Sequence, residues 1–366
     1  MQQLHRWHRT SVIEQQRQLP LHLMRIAIDL LNGNSNLSGN EKVFLTKSFH
    51  LLAAEHPEHE WVYVPSIQTQ ALSALLPMGI KKSLQLRKLR SDVLISDYAL
   101  KKKLPGCRQI IFFCGQDFAF NKWNDKINIE AEFIITTSDF LKKKLISEKN
   151  ISENKIKVIN GAPDEQVLKI DWGEKLSIKE KQAEGKEFFL CYLELGPATN
   201  WETLLKAFSI FKKWQQTSVQ LLIAGRIESN YEDEFAQKIE SYKYKSDVKL
   251  LDPFGNELLH LLQAAYALVL PGLDATGLNI LNAFRAEVPV ITSGDNIFHE
   301  AVSGAFLPAI FSVDELSRQM INLYRDERLR DNLVEKGKEI LAGFSWAATS
   351  ANWYDCLVRA QQTEFS

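Results

Sequence analysis

Chemistry in this chain would sit where polar segments follow apolar runs of strand length. Five stretches qualify: 32–40, 116–117, 196–200, 225–226 and 274–282. In open α/β sheets, ligands bind outside the carboxyl ends of the strands. The last stretch is the richest. In PGLDATGLNILNAFRAEVPVITS, residues 271–293, Asp274 offers a carboxylate in a loop. Gly277 permits a tight turn or a close backbone approach. A helix opening at Leu278 turns its first N–H groups outward, a ready anion site. The amides of Gly277 and Leu278 would face a diphosphate there, with Asn279 beside them. Asn282 lies about two helical turns beyond Asp274. Arg226, after an earlier strand in IAGRIES, supplies a cation that could reach the same cleft. His299 stands alone beside Glu300, which is more often a structural or solvated arrangement than a catalytic one.

Other chemistries lack their residues. No G-x-G-x-x-G follows the first strand, which disfavours a nicotinamide dehydrogenase. There is no Walker A sequence and no G-x-S-x-G elbow. No H-E-x-x-H and no Cys/His cage implies a metal, so no metal and no cofactor is expected.

The elements that must position these residues alternate. Apolar runs at 25–31, 60–65, 92–96, 109–113, 133–137 and 157–159 read as strands, the first with a buried-looking Asp29. Helical spacing appears at 41–54, and Ser138-Asp139 would cap a helix over FLKKKLISE. The alternation restarts at Phe188. Strands are read at 188–195, 220–224, 248–251, 267–270 and 288–292, and helices at 201–214, 257–265 and 278–286. The remainder reads as helical to the end. Strand and helix in turn indicate a parallel sheet covered on both faces. The expected class is α/β, two Rossmann-like doubly wound domains in tandem. The division is a polar extension 1–23, a first domain 24–165, a charged linker 166–186, a second domain 187–345 and a C-terminal helix 346–366 that would cross back to the first domain.

Composition narrows the class. The chain has 366 residues, 45% hydrophobic and 24% charged, which excludes a disordered chain or a rod. A net charge of −1 argues against a nucleic-acid partner. Cys107, Cys114, Cys191 and Cys356 are too few and too scattered for a disulfide scaffold and fit a reducing cytoplasm. No run of 18 apolar residues occurs, and the start lacks a signal-peptide core. The neutrality hides an asymmetry. Residues 1–165 hold 23 Lys and Arg against 17 Asp and Glu; the rest hold 21 against 28. KKSLQLRKLR, residues 81–90, has the pattern of a basic amphipathic helix that could lie on anionic lipid, although a solvated helix face has the same pattern.

The second half resembles the sugar-nucleotide domain of retaining glycosyltransferases of GT-B fold, the group 1 class (glycosyltransferase family 4). The family pattern E-G-F-G-L-P-x-L-E-A-M-A-x-G-x-P-V is met by D-A-T-G-L-N-I-L-N-A-F-R-A-E-V-P-V, with Gly277, Leu278, Leu281, Ala283, Pro289 and Val290 in agreement. HLLQAAYALVLPGL, the FSWAATSANWYDCL tail, ITTSDFLKKKL and KIKVINGAPDE resemble further family segments, so the likeness covers roughly residues 24–360. It implies a nucleotide-sugar donor, a glycan or lipid-linked acceptor and a metal-independent, retaining transfer. Asp274 stands where the family has a glutamate contacting the donor sugar, and Asn282 where a second glutamate bonds the ribose. Asn can accept only through its oxygen. Glu300 matches an acidic family position. Gly196 and Asn200 flank the place of the family's Arg and Lys, here Pro197 and Thr199. Asn34, Ser38 and Gly39 match the glycine-rich first loop, and Gln116 and Asp117 an acceptor-facing pair. With both cations and one glutamate replaced, the sequence supports two readings: an active glycosyltransferase at the inner membrane face, or an inactive relative that binds a partner or a glycan.

Overall fold

The computed structural model describes residues 23–30, 39–64, 85–100, 103–113, 131–192, 201–225, 227, 231–252, 256–270, 274, 276–293, 305–309 and 312–362. Two parallel sheets organise them. The first contains β1 (Arg25–Asp29), β2 (Glu60–Tyr63), β3 (Val93–Ser96), β4 (Arg108–Phe113), β5 (Phe133–Thr136) and β6 (Ile156–Val158), in the order β2-β1-β3-β4-β5-β6. The second contains β7 (Phe188–Tyr192), β8 (Gln220–Ala224), β9 (Val248–Leu251), β10 (Ala267–Leu270), β11 (Val290–Ser293) and β12 (Leu307–Ala309), in the order β12-β11-β10-β7-β8-β9. The strand order reverses between β1 and β3, and between β7 and β10. Those reversals are where such sheets take ligands.

Burial explains why the strands read as apolar runs. Every residue of β3, β4, β8 and β10 is buried, as expected when helices cover both faces of a parallel sheet. The two-residue period sorts their side chains. Phe188, Leu190, Leu222, Leu268 and Val290 enter one core of the second domain. Phe189, Cys191, Leu221, Val269 and Ile291 enter the other. In the first domain, Ile26, Ile28, Val93, Ile95, Ile110 and Phe112 share a core with helix α1 (Gly39–Glu55).

Further helices are α2 (Asp139–Lys149), α3 (Trp172–Ala183), α4 (Trp201–Gln215), α5 (Glu232–Glu240), α6 (Glu257–Ala264), α7 (Leu278–Arg285), α8 (Val313–Arg325), α9 (Glu327–Leu341) and α10 (Trp346–Gln362). Ser138 caps α2 by accepting from the Leu141 N–H, as its position in the sequence indicates. Two elements depart from the sequence reading. The charged stretch 166–186 contains α3, started by a capping box between Asp171 and Glu174 and anchored through Val167 and Ala183 in the second domain's core around Phe188 and Leu190. The region after residue 293 also holds the short strand β12, which pairs with β11 at the sheet edge. Residues 85–89 are helical, with Leu86 buried and Arg87 and Lys88 exposed. Among the described residues no helix is long and apolar enough to cross a membrane.

Helix α10 lies against α1 on the first domain. Trp353 is fully buried, with its ring 5.1 Å from Phe49 and 6.4 Å from Phe112. A histidine latch holds the same helix. The His56 ring stacks on Tyr354 at 3.5 Å, and His59 Nε2 lies 3.3 Å from the Tyr354 hydroxyl. His59 Nδ1 accepts from the Met24 N–H at 3.3 Å, which leaves the ring proton on Nε2. Burial holds the His59 imidazole below its ordinary range, partly offset by Glu58. Protonation would turn the Nδ1 acceptor into a donor facing another donor. The neutral ring is the form the fold keeps, so the latch is intact above pH 6.5 and loses stability as pH falls below that value. Urea midpoints at pH 7.5 and 5.5 should therefore drop more for the natural chain than for His59→Gln. Equal drops would remove His59 as the cause.

Candidate active site

Asp274 follows β10 at the second domain's strand reversal. Gly277 adopts φ +70°, a conformation other residues rarely tolerate, and α7 starts at the next residue. Asp274 is only 4% exposed. Its Oδ2 accepts from the N–H groups of Asn279 at 3.0 Å and Ile280 at 3.3 Å, and its Oδ1 accepts from the Thr276 hydroxyl at 3.4 Å. The Asn40 side chain, from the second residue of α1, also bonds it. A carboxylate suits the positive end of a helix. Burial nonetheless dominates and pushes the Asp274 carboxyl up to about 6, against the pull of the Ile280 and Asn279 amides.

The amides read from sequence as a diphosphate cradle are engaged inside the turn. The Gly277 N–H donates to the Asp274 carbonyl at 3.1 Å, and the Leu278 N–H to the Thr276 hydroxyl at 3.4 Å. The Leu278 side chain crosses the domain boundary and joins the first domain's core beside Phe44 and Ile159. The Asn279 amide serves Asp274. Asn282 Oδ1 accepts from the Asp164 N–H at 2.7 Å, so its acceptor oxygen meets the end of the first domain. Gly39 opens α1, and a Cβ added there would stand 3.9 Å from the Tyr192 hydroxyl at the end of β7. The start of α1 thus meets the ends of β7 and β10. Arg226, Gly196, Asn200, Glu300, Asn34, Ser38, Gln116 and Asp117 lie outside the described residues.

Sequence reasoning missed four participants: Asn40, Thr276, Asp164 and Tyr192. Thr276 stands inside the loop already singled out, and a hydroxyl two residues before a helix is a usable turn signal. Asp164 lies in the NGAPD segment. Asn40 ends the stretch 32–40 already singled out, but nothing local marks its partner or Tyr192, because their neighbours come from the other domain. Among the described residues no group of three His, Cys, Asp or Glu side chains is arranged to hold a metal ion. Cys107, Cys191 and Cys356 are free thiols.

Two doubly wound domains that meet at the carboxyl ends of their sheets, with a helix crossing back at the C-terminus, define a GT-B protein. Residues 174–340 match the family described as Glycosyl transferases group 1. Over 243 residues the chain is 24% identical to the serotype-specific mannosyltransferase WbdA of Escherichia coli, a match covering 64% of this chain and 29% of that protein. The chain thus matches under a third of the length of its curated relatives. Its fold is similar to HepE from Anabaena, solved with UDP and glucose, at 15% identity over 91% of this chain and 99% of that chain, TM-score 0.73. It is similar to a glycosyltransferase from Rickettsia africae at 12% identity over 93% and 100% of the two chains, TM-score 0.72. WaaG, a glycosyltransferase involved in lipopolysaccharide biosynthesis, is similar at 13% identity over 90% and 98%, TM-score 0.66. The chain carries the GT-B fold, and it is over residues 174–340 that it resembles the glycosyltransferase group 1 family.

Proposed function

We propose that the chain transfers a sugar from a nucleotide-sugar donor to a glycan or lipid-linked acceptor, in cell-envelope polysaccharide synthesis. The observation that carries this reading is the junction itself. Asp274, at the second sheet's strand reversal, meets Asn40 at the start of α1, so both domains contribute to one polar site. The group 1 resemblance of residues 174–340 and the UDP and UDP-glucose held by the HepE structures support a nucleotide-sugar donor. The mannosyltransferase relative and WaaG support a polysaccharide or lipid-linked acceptor.

In this reading Asp274 contacts the donor sugar, and Arg226 meets the charge that develops on the leaving diphosphate. A group placed against developing charge is often the largest single contribution to catalysis. Transfer proceeds with retention and without a metal. Gly196, Asn200 and Glu300 complete the donor side. Asn34, Ser38, Gly39, Gln116 and Asp117 line the acceptor side. The basic first domain faces an anionic membrane surface from the cytoplasm.

One observation favours a second reading, a relative that binds without catalysing. The amides at the start of α7 are bonded within the loop, and the Asn282 oxygen is taken by Asp164. Thermal melting with UDP, GDP, ADP and their sugars decides between the two. A ligand at 100 times its Kd stabilises by about 2.7 kcal/mol, a rise of several degrees. A shift with one nucleotide, greater with its sugar, is the expected result. No shift at millimolar concentrations would overturn the enzyme reading.

A further inference from the structure

Residues 160–169 run along α7 while remaining bonded to the first domain. Gly161 lies between Leu278 and Phe44; a Cβ there would come within 2.8 Å of Leu278 Cδ2 and 3.1 Å of Phe44 Cδ2. The Asp164 N–H donates to Asn282 Oδ1 at 2.7 Å, and the Asp164 carboxylate pairs with Lys47 of α1 at 2.7 Å. Further along, the Val167 carbonyl accepts from Arg285 Nε at 2.7 Å. Helix α10 closes the other side, where the Trp346 indole donates to the Pro163 carbonyl at 3.0 Å.

Asp164 therefore touches both domains at once, its amide on α7 and its carboxylate on α1. The same two helices meet again at their beginnings, through Asn40 and Asp274. These separated attachments, with Leu278 packed beside Phe44 between them, fix the angle of the two helices as well as their distance. We infer that Lys47, Asp164 and Asn282 are positioning residues that set the register of the two domains and so hold Asn40 against Asp274. The inference rests on reading this junction as the donor site. It gives Asn282 a task besides any ligand contact, because its oxygen already accepts from the Asp164 N–H of the segment 160–169.

The test uses the full chain, with Asn282→Ala, Lys47→Met and, as the conservative change, Asn282→Asp, which keeps an acceptor oxygen. Hydrogen exchange at the Asp164 amide reads its bond to Asn282 directly. Small-angle scattering reads the spread of domain arrangements. UDP titration and turnover of a UDP-sugar read the site.

Asn282→Ala and Lys47→Met should each speed Asp164 exchange by about 2- to 10-fold. They should broaden the scattering distance distribution, and the double change should fall short of their sum, since both act through Asp164. Turnover should fall while the UDP Kd moves less than about twofold, the expected pattern when positioning is lost and binding kept. Asn282→Asp should restore slow exchange. Unchanged exchange and scattering in both Asn282→Ala and Lys47→Met would overturn the inference. So would a tenfold loss of UDP affinity in Asn282→Ala with scattering unchanged. If the natural chain binds no nucleotide, the donor reading fails by itself, and exchange and scattering still decide whether Lys47, Asp164 and Asn282 set the domain register.

Discussion

Asp274→Asn is expected to raise stability at neutral pH while reducing sugar transfer by about 10²-fold or more, the cost of losing one well-placed polar group in an active site. The stability gain follows from burial. The carboxyl ionises at 3.8 in an open chain but at about 6 in this loop. At pH 7 it is charged in both states, and the fold carries the cost of a buried charge. A shift of this size corresponds to about 3 kcal/mol. Asparagine keeps an acceptor oxygen for the Asn279 and Ile280 amides, although a neutral acceptor bonds them less strongly. The net gain should be about 1–2 kcal/mol once those weaker bonds are counted. The sign with pH is definite. A raised carboxyl contributes stability that is fully present below 3.8 and is lost as pH rises through about 6. The advantage of the asparagine variant should therefore be largest above pH 6.5 and vanish near pH 4. Denaturant midpoints of both chains across that range test it. A variant less stable at pH 7 would show that the amide bonds outweigh burial. The dependence runs opposite to that of His59, so the two are separable by mutation.

Such a gain is informative because an isosteric amide would satisfy the loop at lower cost. Keeping a carboxylate where burial disfavours it is a pattern found where chemistry needs the charge. It is also why Asp274 could be singled out from sequence. A lone acid after an apolar strand and before a glycine-started helix has few structural uses.

The partners of Asp274 were not legible in the same way. Local signals reached as far as one element. Apolar runs gave the strands, because fully covered parallel strands carry apolar residues on both faces. Ser138 gave the start of α2. Helix α3 escaped because it is polar along most of its length and buries only Ala183. Its signal was the capping pair Asp171 and Glu174, which a search for core residues passes over. Strand β12 escaped because it is three residues long with Pro308 in the middle, which suits a sheet edge and little else. At the site, Asn282 was read by its place on a helix, whereas its bond is to a residue 118 positions away. Leu278 was read for its amide, whereas its side chain completes the other domain's core. Both departures come from the interface between domains, which no periodicity within one domain encodes.

Trp353→Ala should have the largest effect on stability, and the shape of the transition should report which domain it serves. The indole is fully buried between Phe49 and Phe112 and belongs to the first domain's core, although α10 follows the second domain in the chain. Truncating a buried tryptophan to alanine costs about 3–5 kcal/mol, as much as the lost packing and the remaining cavity together. The nearby His56, His59 and Tyr354 contacts hold α10 to the same surface and would be strained by the same loss. The second domain's two cores contain no residue of α10. The first domain should therefore melt early and the second near its former temperature, giving two calorimetric transitions. Trp353→Phe retains an aromatic ring and should restore most of the first transition. A single transition at the original temperature would show that α10 adds little to the first domain. If the transitions do separate, the C-terminal helix is a structural part of the domain that presents Asn40 to Asp274. The site then depends on a segment that begins 72 residues beyond Asp274, the carboxylate that sequence chemistry places at the strand reversal.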